Sequence, residues 1–367
     1  MKKRILAVLI ATALAVSVTG CAGNTTSSSD STSASSVAES SDTSTQTSAD
    51  ASSEDESKEE SSQEESKDLE ANYTKYTLDG DLTQHMIDMS RLNEGNKVRL
   101  ANVIKKLKNG EEVTVGFIGG SITQGTSAGN DLCYAKLTAD WLQKTYSNAK
   151  INYVNAGIGA TGSYIGVHRV ANDLLSKNPD LVFVEFSVND TTENTERNKK
   201  SYDGLLRTIW KSSTNPAIIT IATTQEDGTS FQDQHAEIVK HYDLPMISYR
   251  NTILDTIKHG DIVWKDISDD NIHPNVPGHK IVSQLLQAYI SDVDKDVDNI
   301  SGSESDFTTP ATDAPIENGS LIQPSSATDV TATGAFGNYE QQFGGFDGFL
   351  YALVVFVVCD YFTGVLA

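Results

Sequence analysis

Four side chains in this 367-residue sequence have the types and spacing that acyl transfer requires: Ser121, Asn189, Asp270 and His273. A serine hydroxyl becomes a nucleophile only when a base takes its proton and a third group orients that base. In "DDNIHPNVPGH", Asp270 stands three residues before His273. That spacing lets the carboxylate take the imidazole Nδ1 proton within one turn and leaves Nε2 free to face a serine. The reaction also needs donors aimed at the developing oxyanion. Asn189, in "SVND", has a side-chain amide, and "NAGIGATGS" has backbone N–H groups from Gly157 to Ala160.

Other chemistries compete for the same stretches. Ser121 follows the run "VTVGFIGG", and on its own it reads equally as a turn residue. "GGSITQG" lacks the Gly-Lys-Ser/Thr ending with which a phosphate loop reaches phosphate and metal. "GIGATG", residues 157–162, fits the glycine pattern of dinucleotide sites. It follows the second apolar run rather than the first, however, and Glu185 lies further on than the roughly 20 residues expected of the ribose-binding acid. Asp269, Asp270, His273 and His279 could be grouped as metal ligands, but His279 falls near the start of the last helix, where a surface or capping role is expected. No metal and no cofactor are expected. Glu185, inside an apolar run, reads as a satisfied structural partner of the rim loops, and His168 as structural or solvated. His85, His235, His241 and His259 have no context that suggests chemistry. The two glycines before Ser121 read as clearance for an approaching acyl group.

These residues need a scaffold, and the sequence patterning supplies one. Five short β-rich runs occur in order: "EVTVGFIG", "AKINYVNAG", "DLVFVEFSV", "AIITIAT" and "PMISY". Their nearly continuous apolar character suits strands buried on both faces. Helical patterns separate them. "DLCYAKLTADWLQKTY" places Leu137, Trp141 and Leu142 on one face, and "YIGVHRVANDLL" does so with Ile165, Val167, Val170 and Leu174. Alternating strands and helices predict a parallel sheet covered on both sides. Ligands of such sheets sit at the carboxyl ends of the strands, where the four residues above fall. The stretch before the first run, from Met86 to Glu111, reads as a lead-in loop and an amphipathic helix.

Taken together, "IGGSITQG", "NAGIGATG", "SVND" and "DNIHPN" resemble, in order, the four blocks of the SGNH (GDSL-type) hydrolases, over residues 98–290. The resemblance implies a three-layer αβα sandwich with a five-stranded parallel, flavodoxin-like sheet and a two-step acyl-enzyme mechanism without a cofactor. It implies Ser121 as nucleophile, His273 as base and Asp270 as its partner. Asn189 and the Ser121 N–H would be oxyanion donors. This sequence departs from the family at two places. Gly120 replaces the usual Asp, and the second-block donor aligns with Ala160. If the loop demands φ > 0 there, Gly159 becomes the expected donor.

The rest of the chain bounds the setting. Residues 1–20 have a basic start and an apolar stretch of signal-peptide length. Val18-Thr19-Gly20-Cys21 resembles a lipobox, with Cys21 the expected lipidation site. Cys133 and Cys359 show no metal or redox spacing. Residues 21–70 are almost wholly Ser, Thr, Ala, Asp and Glu, too poor in apolar groups to fold. They hold many of the acids behind the net charge of −22, so that charge belongs first to a tether. With no basic patch, nucleic acid is excluded as a partner. A domain is expected over residues 71–295, a low-complexity linker over 296–346 and a hydrophobic tail over 347–367. That tail resembles the first membrane segment of a phage-type holin family; a genuine anchor, a fusion and a truncated frame all stay open. The expectation is an exported, lipid-anchored serine esterase facing the outside of the cell and deacetylating polysaccharide. The alternatives are a lipase or acyltransferase acting on lipid and an inactive surface glycan-binding module.

Overall fold

The computed structural model describes residues 73–191, 194–317 and 319. The expected signal peptide, Cys21, the acidic linker and the hydrophobic tail lie outside the described residues. Six strands form one sheet: β1 (Arg91–Asn93), β2 (Glu112–Gly119), β3 (Lys150–Gly157), β4 (Leu181–Glu185), β5 (Ala217–Ala222) and β6 (Met246–Ser248). Their order is β1-β6-β5-β4-β2-β3, with every pair parallel except the β1/β6 edge. The five parallel strands are those the apolar runs predict, in the flavodoxin-like order. The sixth, β1, was expected to be loop. Its three residues are too few to show alternation, and it pairs only at the sheet edge.

The continuous apolar runs have a direct structural cause. Phe117, Phe183 and Ile219 point into one core, whereas Ile118, Val182, Val184 and Ile218 from the same strands enter the other. The first core is closed by α2 (Val98–Lys108), α4 (Tyr134–Thr145), α8 (Tyr249–Lys258) and α10 (Val276–Lys295). The second is closed by α5 (Ser163–Asp173), α6 (Thr195–Trp210) and α7 (Gln232–His241). Three one- or two-turn helices, α1 (Gln84–Ser90), α3 (Ser121–Gln124) and α9 (Trp264–Ile267), complete the set. In α4 the buried face is Ala135, Thr138, Ala139 and Leu142, rotated from the expected one. Leu137 and Trp141 are only half-buried.

The expected domain end near residue 295 is too early. Phe307 is buried and stacks on both Trp210 and Tyr242 at ring separations of 4.5 and 3.9 Å. Thr312 donates to Asp203, Arg207 pairs with Glu317, and Ile316 N–H donates to the Lys200 carbonyl. A single aromatic among Ser, Thr and Pro thus anchors residues 301–317 across α6 and α7. Composition averaged over the stretch conceals that anchor. Among the described residues no helix is long and apolar enough to cross a membrane.

Candidate active site

Strand β2 ends at Gly119, and the chain turns through Gly120 into the single turn of α3, which begins with Ser121. The first N–H groups of a helix have no intrahelical acceptor, which leaves the Ser121 N–H without one inside α3. The glycines here also make room for neighbours within the fold. A Cβ on Gly119 would collide with Thr123 Oγ1 and the Glu185 carbonyl, and one on Gly120 would lie 2.0 Å from Asn189 Oδ1. Asn189 is therefore laid directly against the residue preceding the serine.

His273 sits on the loop between α9 and α10. An antiparallel bridge between Ser268 and Pro274 closes this loop, and Asn275 ends it by capping α10 through the Gly278 N–H. Ser268 Oγ lies 2.8 Å from the Asp270 carbonyl and 2.6 Å from that of His273. Asp270 Oδ1 accepts from the backbone N–H of both Ile272 and His273 at 2.7 and 2.6 Å. Its Oδ2 lies 2.8 Å from His273 Nδ1, and His273 Nε2 lies 2.9 Å from Ser121 Oγ. Burial alone would raise the Asp270 pKa, but the His273 imidazole and the two backbone N–H groups hold it below the ordinary aspartate value. An ionised Asp270 can only accept, so Nδ1 carries the imidazole proton and Nε2 accepts from the serine hydroxyl.

The block after β3 needs a correction. Ala160 does have a positive φ, 57°, and that was the condition under which Gly159 became the expected donor. Yet the Gly159 N–H is taken by Gln124 Oε1 at 2.8 Å, whereas the Ala160 N–H has no acceptor among the described residues. A left-handed alanine is strained but allowed. Gln124, one turn after Ser121, carries no recognisable catalytic pattern, and sequence reasoning missed its hold on this loop. Arg169 was also missed. It is 1% exposed, and it donates to the Ala156 carbonyl at 2.5 Å and the Gly119 carbonyl at 3.0 Å. It thereby fastens together the ends of β2 and β3.

Two further expectations change. Of the two roles expected of His279 the capping one holds and the surface one does not: it is fully buried, and its Nδ1 accepts from the Tyr134 N–H at 3.1 Å, capping α4 rather than its own helix. Glu185 is also fully buried, and its Oε1 accepts from Thr223 at 2.7 Å and from Ser187 at 3.2 Å. Its Oε2 has no partner among the described residues, so it is not the satisfied partner expected. Burial pushes the Glu185 carboxyl up to about 7 despite those hydrogen bonds, and burial pushes the His279 imidazole down to about 4.

The two shifts oppose each other in pH. The Glu185 pKa rises on folding from 4.5, so ionisation penalises the fold increasingly as pH climbs from 4.5 to about 7, and fully above it. The depressed pKa of His279 contributes stability above 6.5, which is lost as pH falls towards 4. Glu185→Gln removes the first effect alone. Its melting temperature should exceed that of the wild type by about 5 °C at pH 8, and the gap should close near the unfolded carboxylate pKa. Calorimetry over a pH series reads this directly; a gap independent of pH would contradict the buried-carboxyl account.

Among the described residues, one group of potential metal ligands gathers, and it is not the Asp269/Asp270/His273/His279 set. His85 Nε2 and His259 Nδ1 lie 2.6 and 3.3 Å from Asp255 Oδ2, with Tyr73 stacked on His259 at 4.2 Å. These ligand atoms are bonded to one another and clamp α1 to the end of α8.

A doubly wound sheet with Ser, His and Asp in relay at its carboxyl edge defines the class of serine acyl-transfer proteins. Residues 117–281 match the sequence model of the GDSL-like Lipase/Acylhydrolase family. No curated protein matches. Among solved structures, a two-domain esterase (CEX) active on acetylated mannans is 38% identical with a TM-score of 0.59; the match covers 62% of this chain and 61% of that one. The same esterase co-crystallised with mannopentaose is again 38% identical at a TM-score of 0.57, covering 62% and 60%. This chain thus spans about three fifths of the length of these relatives.

Proposed function

We propose that this chain is a serine-dependent carboxylic ester hydrolase that removes O-acetyl groups from polysaccharide. The relay from Asp270 through His273 to Ser121 is the observation that carries the reading. His273 Nε2 takes the hydroxyl proton as Ser121 Oγ attacks the ester carbonyl. The oxyanion is held by the N–H groups of Ser121 and Ala160 and the Asn189 amide. Collapse of this intermediate expels the sugar hydroxyl, which takes the proton from His273. Water then attacks the acyl-enzyme and loses its proton to His273. Acetate leaves, and the proton returns to Ser121.

The substrate class is supported by the action of the 38%-identical esterase on acetylated mannans. The setting is supported by the export-type residues 1–20 and by Cys21 at the head of a long acidic stretch. From these we infer a lipid-tethered enzyme outside the membrane. Acetate release by the full chain from acetylated mannan, xylan and peptidoglycan tests the reading, alongside a series of chromogenic esters of increasing acyl length. Acetyl esters should be turned over fastest. A preference for long acyl chains would favour a lipase, and glycan binding without acetate release would favour a binding module. Activity should also sediment with membranes, and Cys21→Ala should move it to the supernatant.

A further inference from the structure

Directly after Asn189 stands a buried carboxylate that the reaction does not use. Asp190 is 1% exposed, and its two oxygens have different partners. Oδ1 accepts from the backbone N–H of Ser163 at 2.8 Å, and Oδ2 lies 2.9 Å from His235 Nε2. Its own N–H donates to the Phe186 carbonyl, and its carbonyl accepts from Asn198 Nδ2 at 2.9 Å. Ser163 opens α5, so the carboxylate also meets the positive end of that helix. The loop entering α5 is the one that contains Ala160. Gly162 lies so close that a Cβ there would sit 2.4 Å from Asp190 Oδ1.

His235 is held as firmly. It is fully buried, stacked on Tyr202 at 3.6 Å and met edge-on by Phe231 at 5.2 Å. Its Nδ1 has no partner among the described residues. The proton therefore resides on Nε2, where Asp190 accepts it; a second one on Nδ1 would be a buried donor without an acceptor. One carboxylate thus joins α5, α7 and the turn carrying Asn189.

We propose that Asp190 and His235 are positioning residues that fix the spacing between the two oxyanion donors outside α3, Asn189 and the Ala160 N–H. This rests on the reading of those groups as donors to the ester oxygen. An error of about 1 Å in such a group costs on the order of 100-fold in rate. His235→Leu removes the donor and frees Asp190 to turn. Its kcat on a short-chain acetyl ester should fall by roughly 30- to 100-fold, with KM within about twofold. His235→Gln carries an amide N–H that can reach Asp190, and it should recover most of the lost kcat. Rates are taken per active serine, counted with a fluorophosphonate that labels Ser121, so a partly unfolded preparation does not imitate the effect. Recovery by Gln together with unchanged KM supports the proposal. Equal kcat per active serine in wild type and His235→Leu overturns it, as does a loss of the same size in the Gln variant. Ser121→Ala and Asn189→Ala are measured in parallel. If these two retain full activity, the reading of the site fails; if only the His235 variants do, the brace alone fails.

Discussion

Ser121→Ala should lower kcat on a short-chain acetyl ester by about four to six orders of magnitude while leaving the fold intact. The scale follows from the unit behaviour of serine, base and orienting acid, where losing the nucleophile alone costs about as much as losing all three. The Ser121 side chain has one hydrogen-bond partner among the described residues, His273 Nε2 at 2.9 Å, so its removal leaves no buried group unpaired. Thermal stability should shift by less than about 0.5 kcal/mol, as for surface substitutions. His273→Ala should cost about as much, and the double variant no more than either single one. Residual hydrolysis should be supported by the oxyanion donors and binding alone. Steady-state kinetics on the three variants, with melting curves as control, decide the matter. Strict additivity of the two losses would show that the pair does not act as one unit.

The reacting residues were easier to read than the residues that hold them, and the reason is physical. Ser121, Asn189, Asp270 and His273 must be of particular chemical types, and each follows a strand or precedes a helix whose periodicity is plain. Their supports act through contacts that local pattern does not encode. Arg169 lies on an amphipathic helix where it is buried beside Ile165, Val167 and Val170, and nothing nearby marks its partners as the ends of two strands. His279 follows "VPG" at a helix start, where a surface or capping role is expected, but the helix end it caps is that of α4, 145 residues earlier. His235 and Asp190 are 45 residues apart. Gln124 takes the Gly159 N–H from across the loop, and that bond decides which backbone donor is left. Sequence picks out groups of the reactive type, and tertiary packing decides which of the neighbouring groups remain available.

Substitutions at Asp270 separate two roles that the carboxylate combines. Asp270 Oδ1 accepts two backbone N–H groups, and Oδ2 accepts the Nδ1 proton of His273. In Asp270→Asn the amide oxygen must stay with the two backbone donors, so the NH2 group is forced towards His273. It can only donate, which puts the lone pair on Nδ1 and the proton on Nε2. An Nε2–H cannot accept from Ser121. A wrong tautomer of this kind costs about 10⁴ in kcat in a serine-protease triad. The Asp270 side chain is 46% exposed here, so water reaches Nδ1 when the carboxylate is removed altogether. Asp270→Ala should therefore lose only about 10- to 100-fold, because water can accept from Nδ1–H and leave Nε2 as the base. The expected order of kcat is wild type, then Ala, then Asn, the reverse of what isosteric replacement would suggest. Kinetics on both variants at one pH settle it. An Asn variant as active as the Ala variant would show that Asp270 acts through charge alone and does not select the tautomer.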